Sequence, residues 1–153
     1  MKYSVVLIMI FVGLFFLSAC KKEKYPCDCS TVNTSIDSEL QYKWVFKSFE
    51  NLKGKKETLP SGLEEMHIEF NESDLSIKGQ NNSCYGGYEN HDNNCLKTSN
   101  LACTEVGGTT DQMEWEGRYI SALNNVECYK IENNKLKLYY QKNSKQMTMN
   151  FEK

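Results

Sequence analysis

The chain has 153 residues, 18 of them basic and 20 acidic, for a formal net charge of −2 at neutral pH. That length suits one domain with a core of its own. No basic stripe or polybasic tail is present, so nucleic acid is not expected as a partner.

Met1-Lys2-Tyr3 is a short basic start, and Val5 to Leu17 is apolar throughout apart from Gly13. The run is too short for a membrane-spanning helix, which needs about 20 residues, and fits the apolar region of a secretory signal peptide. Leu17-Ser18-Ala19-Cys20 places small residues beside a cut and a thiol just after it. This is the lipobox pattern of bacterial lipoproteins, in which the cysteine is diacylated and the leader removed. Residues 1–19 are therefore expected to be a lipoprotein signal peptide, with Cys20 the lipidated residue. Removal of Lys2 leaves 17 basic residues against 20 acidic. Each buried CH₂ of an acyl chain contributes about 0.8 kcal/mol, so the lipid would hold the protein to a membrane without help from the folded part. The expected location is the cell envelope. Lys21 stands where some bacteria use Asp to retain lipoproteins at the inner membrane, which favours the outer one.

Residues 20–40 read as the lipidated cysteine and a flexible tether: polar, with Pro26, and without periodicity. The domain proper is expected over 41–153. Within Tyr42–Phe49, Trp44 and Phe46 alternate with polar residues, a strand signal. Asn51–Gly62 is rich in Lys, Gly and Pro and reads as loop. Met66, Ile68 and Phe70 share one face of a second strand. Asn71-Glu72-Ser73-Asp74 is turn chemistry, and Leu75–Gly79 alternates again, completing a hairpin. Gln80–Asn94 is Asn- and Gly-rich and reads as loop, with a short strand starting at Tyr88. Its glycines suggest positive φ or close backbone approach.

Asp111–Asn124 is the expected helix, with Asp111 as cap, Glu114 as its reciprocal partner, and Trp115, Tyr119 and Leu123 in one stripe. Gly117 in its interior costs about 1 kcal/mol and suggests close packing on a sheet. Three strands follow: Val126–Glu132, Lys135–Tyr140 and Met147–Phe151, turned at Asn133-Asn134 and at 142–145. A meander and one helix with matching apolar faces predict an α+β domain in which the helix covers or plugs a curled sheet.

Beyond Cys20, six cysteines remain: Cys27, Cys29, Cys84, Cys95, Cys103 and Cys128. Export to an oxidising compartment makes disulfides the default, and spacing alone fixes none of the 15 pairings. Zinc would draw on these and on His67 and His91, but zinc sites use CxxC or HxxxH spacing, and the only close pair here is Cys27-Asp28-Cys29. A redox role for Cys27 and Cys29 lacks the CxxC and βαβ context such enzymes show. No metal and no cofactor are expected.

The order of motifs from Trp44 onward resembles the META domain, the HslJ-like family of bacterial lipoproteins. The resemblance rests on Trp44 in an opening strand, Ser83-Cys84-Tyr85-Gly86-Gly87-Tyr88, Ser99-Asn100-Leu101-Ala102-Cys103, and the helix segment Glu116–Leu123. It continues through Val126, Tyr129 and Ile131, then Leu136, Leu138 and a strand ending at Phe151. It implies a strongly twisted antiparallel sheet, nearly a barrel, with one packed α-helix. It also implies a Cys84–Cys103 disulfide; Cys95–Cys128 and Cys27–Cys29 are then the remaining pairs. A CxC ring is strained, however, and a tether cysteine reaching the domain is the alternative.

For chemistry the sequence offers little. His67 alternates with Met66 and Ile68 and should point away from the core; His91 sits in the polar segment, and both read as solvated. Glu64-Glu65 and Glu114/Glu116 read as exposed charge rather than a glycosidase pair. No catalytic residues are assigned. The expected function is that of a non-enzymatic, stress-related or binding lipoprotein, monomeric, taking an unknown protein or an apolar ligand in the curled sheet. The alternative is an inhibitor of a secreted hydrolase such as lysozyme, with Ser83–Asn90 as inserting loop. Tyr85 and Tyr88 are the candidate contact residues in either case.

Overall fold

The computed structural model describes Cys29 and residues 37–72, 74–91 and 94–153. The expected signal peptide, Cys20, Cys27 and most of the tether lie outside the described residues. In chain order the elements are β1 (Lys43–Asn51), β2 (Lys56–Thr58), β3 (His67–Phe70), β4 (Asp74–Lys78), β5 (Ser83–His91), β6 (Cys95–Cys103), α1 (Thr110–Leu123), β7 (Val126–Glu132), β8 (Lys135–Lys142) and β9 (Lys145–Glu152).

Eight strands close into a ring. The order runs β1-β3-β4-β5-β6-β7-β8-β9, and β9 pairs back onto β1 from Val45↔Glu152 to Asn51↔Met147. Every pairing is antiparallel. This is the near-barrel with one helix that the sequence predicts. β1 serves two partners on its other edge: β3 at Lys43–Val45 and the three-residue β2 at Ser48–Glu50. The later hairpins turn on Asn133-Asn134 and Asn143-Ser144, all four at positive φ, as two-residue hairpin loops require.

Ring closure is uneven. Between β6 and β7 the register holds a single pair, Cys95↔Cys128, supplemented by the Tyr129 amide donating to the Asn94 carbonyl at 2.9 Å. Further along β6, the Thr98 hydroxyl donates to the Leu123 carbonyl at the end of α1, 2.8 Å away. The helix thus occupies the place where a strand partner has run out.

The core fills the ring. Trp44, Phe70, Tyr119, Phe151, Leu136 and Leu138 are all essentially inaccessible. Phe46 meets Tyr119 at 5.3 Å and Phe151 at 5.7 Å between ring centroids. Trp44, buried whole, satisfies its indole by donating to the Leu40 carbonyl at 2.9 Å, as a buried N–H must. Among the described residues these side chains occupy the middle of the ring.

Several local expectations are corrected. The helix cap is Thr109, not Asp111: Gln112 donates its amide to the Thr109 hydroxyl and accepts from the Thr109 amide, at 3.3 and 2.9 Å. Asp111 instead lies in the first turn, where the helix dipole favours it. The supposed loop 80–94 is mostly strand β5. It keeps a period of two, with Cys84, Gly86, Tyr88 and Asn90 on the inner face, but a glycine and an asparagine at two of those places hide it from the sequence; the bulge opposite Gly86 lies in β6, at Asn100-Leu101. Gly86 is there because a side chain would lie 2.7 Å from the Ser99 carbonyl. Gly117 is not a close-packing glycine, since a Cβ there would touch nothing within 4 Å.

Candidate functional site

The resemblance-implied disulfide is present: Cys84 and Cys103 are register partners across β5 and β6 and are bonded. The other two implied pairs are corrected. Cys29 is bonded to Cys95, with Cα atoms 5.5 Å apart, so neither Cys95–Cys128 nor Cys27–Cys29 forms. Cys128 is disulfide-bonded as well; Cys27 lies outside the described residues. The strain of a CxC ring explains why Cys29 bonds out of the tether into the domain. The bond lands on the one residue pair that joins β6 to β7.

The two candidate tyrosines part company. Tyr85 is 66% exposed, and on the outer sheet surface its register neighbours are Ser76 and Ala102. Tyr88 is 8% exposed. Its ring packs edge-on to Phe70 at 5.1 Å, and its hydroxyl donates to the Asn71 carbonyl. Three positions apart on one strand, the two rings face opposite sides of the sheet, so only Tyr85 is available for contact. The Ser83–Asn90 segment is strand, which leaves no inserting loop.

The histidines stand on separate strands. His67 is half-buried on β3, and desolvation, with Lys43 adding to it, holds its pKa below the usual imidazole value. His91 is not the solvated imidazole the sequence suggested: its side chain is mostly covered, Nε2 lies 3.6 Å from a Glu89 carboxylate oxygen, and Nδ1 is buried without a hydrogen-bond partner among the described residues. No group of three potential metal ligands gathers among the described residues. Glu116, expected to be exposed, is 7% exposed. Its carboxylate accepts from the backbone amides of Asn81 and Asn82 at 3.2 and 2.7 Å and from the Asn82 side chain at 2.8 Å, tying α1 to the β4–β5 turn.

The best-formed concavity opens beside α1, with a volume of about 290 Å³. One wall is a helix face of small residues, Gly117, Ser121, Ala122 and Asn125; the other is built from Phe49 of β1 and Tyr140 to Lys142 of β8. Arg118 sits at the rim, its guanidinium 4.8 Å from the Phe49 ring centroid and 4.7 Å from that of Trp115. Its two terminal nitrogens donate to the two carboxylate oxygens of Glu57 at 2.9 and 2.7 Å. This bidentate, charge-assisted pair holds the Glu57 carboxyl below its ordinary pKa, with Lys55 and Lys142 adding to the effect. Burial pushes the Tyr140 hydroxyl up. Sequence reasoning missed this groove. The available signal was Gly117 and Ser121 at i and i+4 on the helix, small side chains that leave space beside it.

Comparison with known proteins agrees with the architecture. The family model of the META domain matches residues 38–152. No curated protein matches the chain. Among solved structures, the chain is similar to a protein from Burkholderia xenovorans determined by NMR, at 17% identity and a TM-score of 0.56, covering 82% of this chain and 95% of that one. It is also similar to a duf4847 family protein from Bacteroides vulgatus ATCC 8482, solved by crystallography. There the identity is 18% and the TM-score 0.53, over 74% of this chain and 92% of that one. These likenesses bear on the fold alone.

Proposed function

This chain belongs to the META domain family, and from that footing we propose that it is a bacterial cell-envelope lipoprotein. Diacylated Cys20 anchors it, in the outer membrane, and the folded domain acts by contact and not by bond-making. The observation that carries this reading is the Cys29–Cys95 bond. Disulfides persist in oxidising compartments outside the cytoplasm. This one joins the domain to the segment that directly follows the lipobox.

A non-enzymatic role is supported by the way the charged groups are spent. Arg118 is paired with Glu57, and Glu116 holds a turn. The groove beside α1 contains Ser121 but neither histidine in its wall, so no nucleophile–base pair is assembled there.

The test is Cys20→Ser in the native host. The expected result is loss of leader processing and a shift from the membrane to the soluble envelope fraction. Unchanged processing and fractionation would overturn the anchor.

A second reading, inhibition of a secreted hydrolase such as lysozyme, rests on Tyr85. It presents a large ring on a disulfide-tied strand, with small neighbours on either side, and aromatic anchors dominate protein interfaces. Capture of the hydrolase by the wild-type protein, lost in Tyr85→Ala, is the expected outcome; equal capture by both would remove this reading.

A further inference from the structure

We propose that the groove beside α1 binds small amphipathic carboxylates, with Glu57 holding the carboxylate position until a ligand exchanges for it. Four observations converge on this, and none of them rests on the lipid anchor.

The first is the groove floor. Gly117 lies mid-helix, where glycine costs about 1 kcal/mol relative to alanine, and no neighbour forbids a side chain there. Its effect is to leave space: a large residue at 117 would project into the groove that it lines. The second is charge. The wall carries Arg118 and Lys142, and the carboxylate that meets Arg118 is that of Glu57, so an anion already holds the position. The third is the apolar lining of Phe49, Ala122 and Tyr140, each no more than 5% exposed, which leaves a narrow strip for a ligand's hydrocarbon part. The volume, about 290 Å³, lies at the lower end of ligand sites and suits a short-chain acid.

The fourth observation is the occupant of the Arg118 fork. The guanidinium lies beside the stacked Phe49 and Trp115 rings, and its fork suits a planar bidentate anion. Glu57 fills it from β2, a strand of three exposed residues paired to β1 alone. The Glu57 side chain is 54% exposed, and a pair so exposed is weak, within about 1 kcal/mol. A ligand carboxylate gains the same two hydrogen bonds and adds the apolar contact that Glu57 lacks.

The test is a titration of the full-length oxidised protein with hexanoate, hexanol and inorganic phosphate, followed by calorimetry and by the NMR shifts of the Gly117 amide and the Arg118 guanidinium. Hexanoate is expected to shift both signals, with hexanol and phosphate each at least about tenfold weaker because one lacks the charge and the other the chain. Arg118→Gln should weaken hexanoate about tenfold or more. Because that change also frees β2, Gly117→Leu provides the independent arm: binding lost, with the melting temperature kept or raised. Glu57→Gln should tighten hexanoate roughly threefold to fivefold by removing the competitor. No response to hexanoate, equal binding of hexanol or phosphate, retained binding in Gly117→Leu, or weaker binding in Glu57→Gln would each overturn the proposal.

Discussion

Tyr119 and Glu116 are neighbours along one helix, yet they show opposite ways of burying a polar atom. The Tyr119 hydroxyl is fully buried and finds no hydrogen-bond partner among the described residues, and its pKa is driven far up by desolvation. An unpaired buried hydroxyl costs about 1–3 kcal/mol. Tyr119→Phe, which keeps the ring contacts with Phe46 and Phe151, is therefore expected to raise stability by about 1 kcal/mol in denaturant unfolding. Glu116→Ala should do the reverse. It strands three donors on Asn81 and Asn82, at a cost of about 2–4 kcal/mol. Only one of these residues was legible in the sequence. Tyr119 is placed by the helical stripe, whereas a Glu on the adjacent face reads as solvent charge until the β4–β5 turn is known to pass over it.

At the level of elements, the strands whose apolar residues keep a clean alternation are legible, as is the helix with its stripe. β7, β8 and β9 and their Asn turns follow directly from the sequence. β5 and β2 do not. In β5 the inward positions include Gly86 and Asn90, and in β2 all three residues are exposed, so no apolar period marks either. Beyond its pairing with β1, β2 is tied to a partner 61 residues away, Arg118. That dependence has a pH signature. The Glu57 pKa is lowered in the folded protein, so its contribution is fully present above the ordinary carboxylate value and is lost as the pH falls through the lower folded value. Amide exchange at Lys56–Thr58 should stay protected down to the ordinary carboxylate range and loosen below it. In Glu57→Gln the protection should be weaker and independent of pH over that interval. Unchanged protection in Glu57→Gln would show that backbone pairing alone holds β2.

For the molecule as a whole, the ring is only as continuous as its thinnest joint, between β6 and β7. The order of elements predicted a helix on a curled sheet, and the near-barrel and the Cys84–Cys103 bond were implied by family resemblance; the Cys29–Cys95 bond was open, because spacing says nothing about which strand a tether will cross. The two bonds close loops of different size, with separations of 66 residues for Cys29–Cys95 and 19 for Cys84–Cys103. Loop entropy alone then assigns about 4 kcal/mol to the longer and about 3 kcal/mol to the shorter. Replacing both cysteines of the Cys29–Cys95 pair by Ser should lower the unfolding midpoint more than the same change at Cys84 and Cys103, and should raise amide exchange at Leu96 and Glu127 first. Equal losses would mean that the β6–β7 joint holds without its staple.

The Cys29–Cys95 bond also sets a leash. With the proposed lipid on Cys20, Cys29 stands nine residues from the anchor, a span of no more than about 30 Å at about 3.3–3.6 Å per residue. The anchor is then tied to the flank of the barrel at Cys95 as well as through the chain that leads into β1. Opening that bond by reduction removes the tie at the flank and leaves the chain connection.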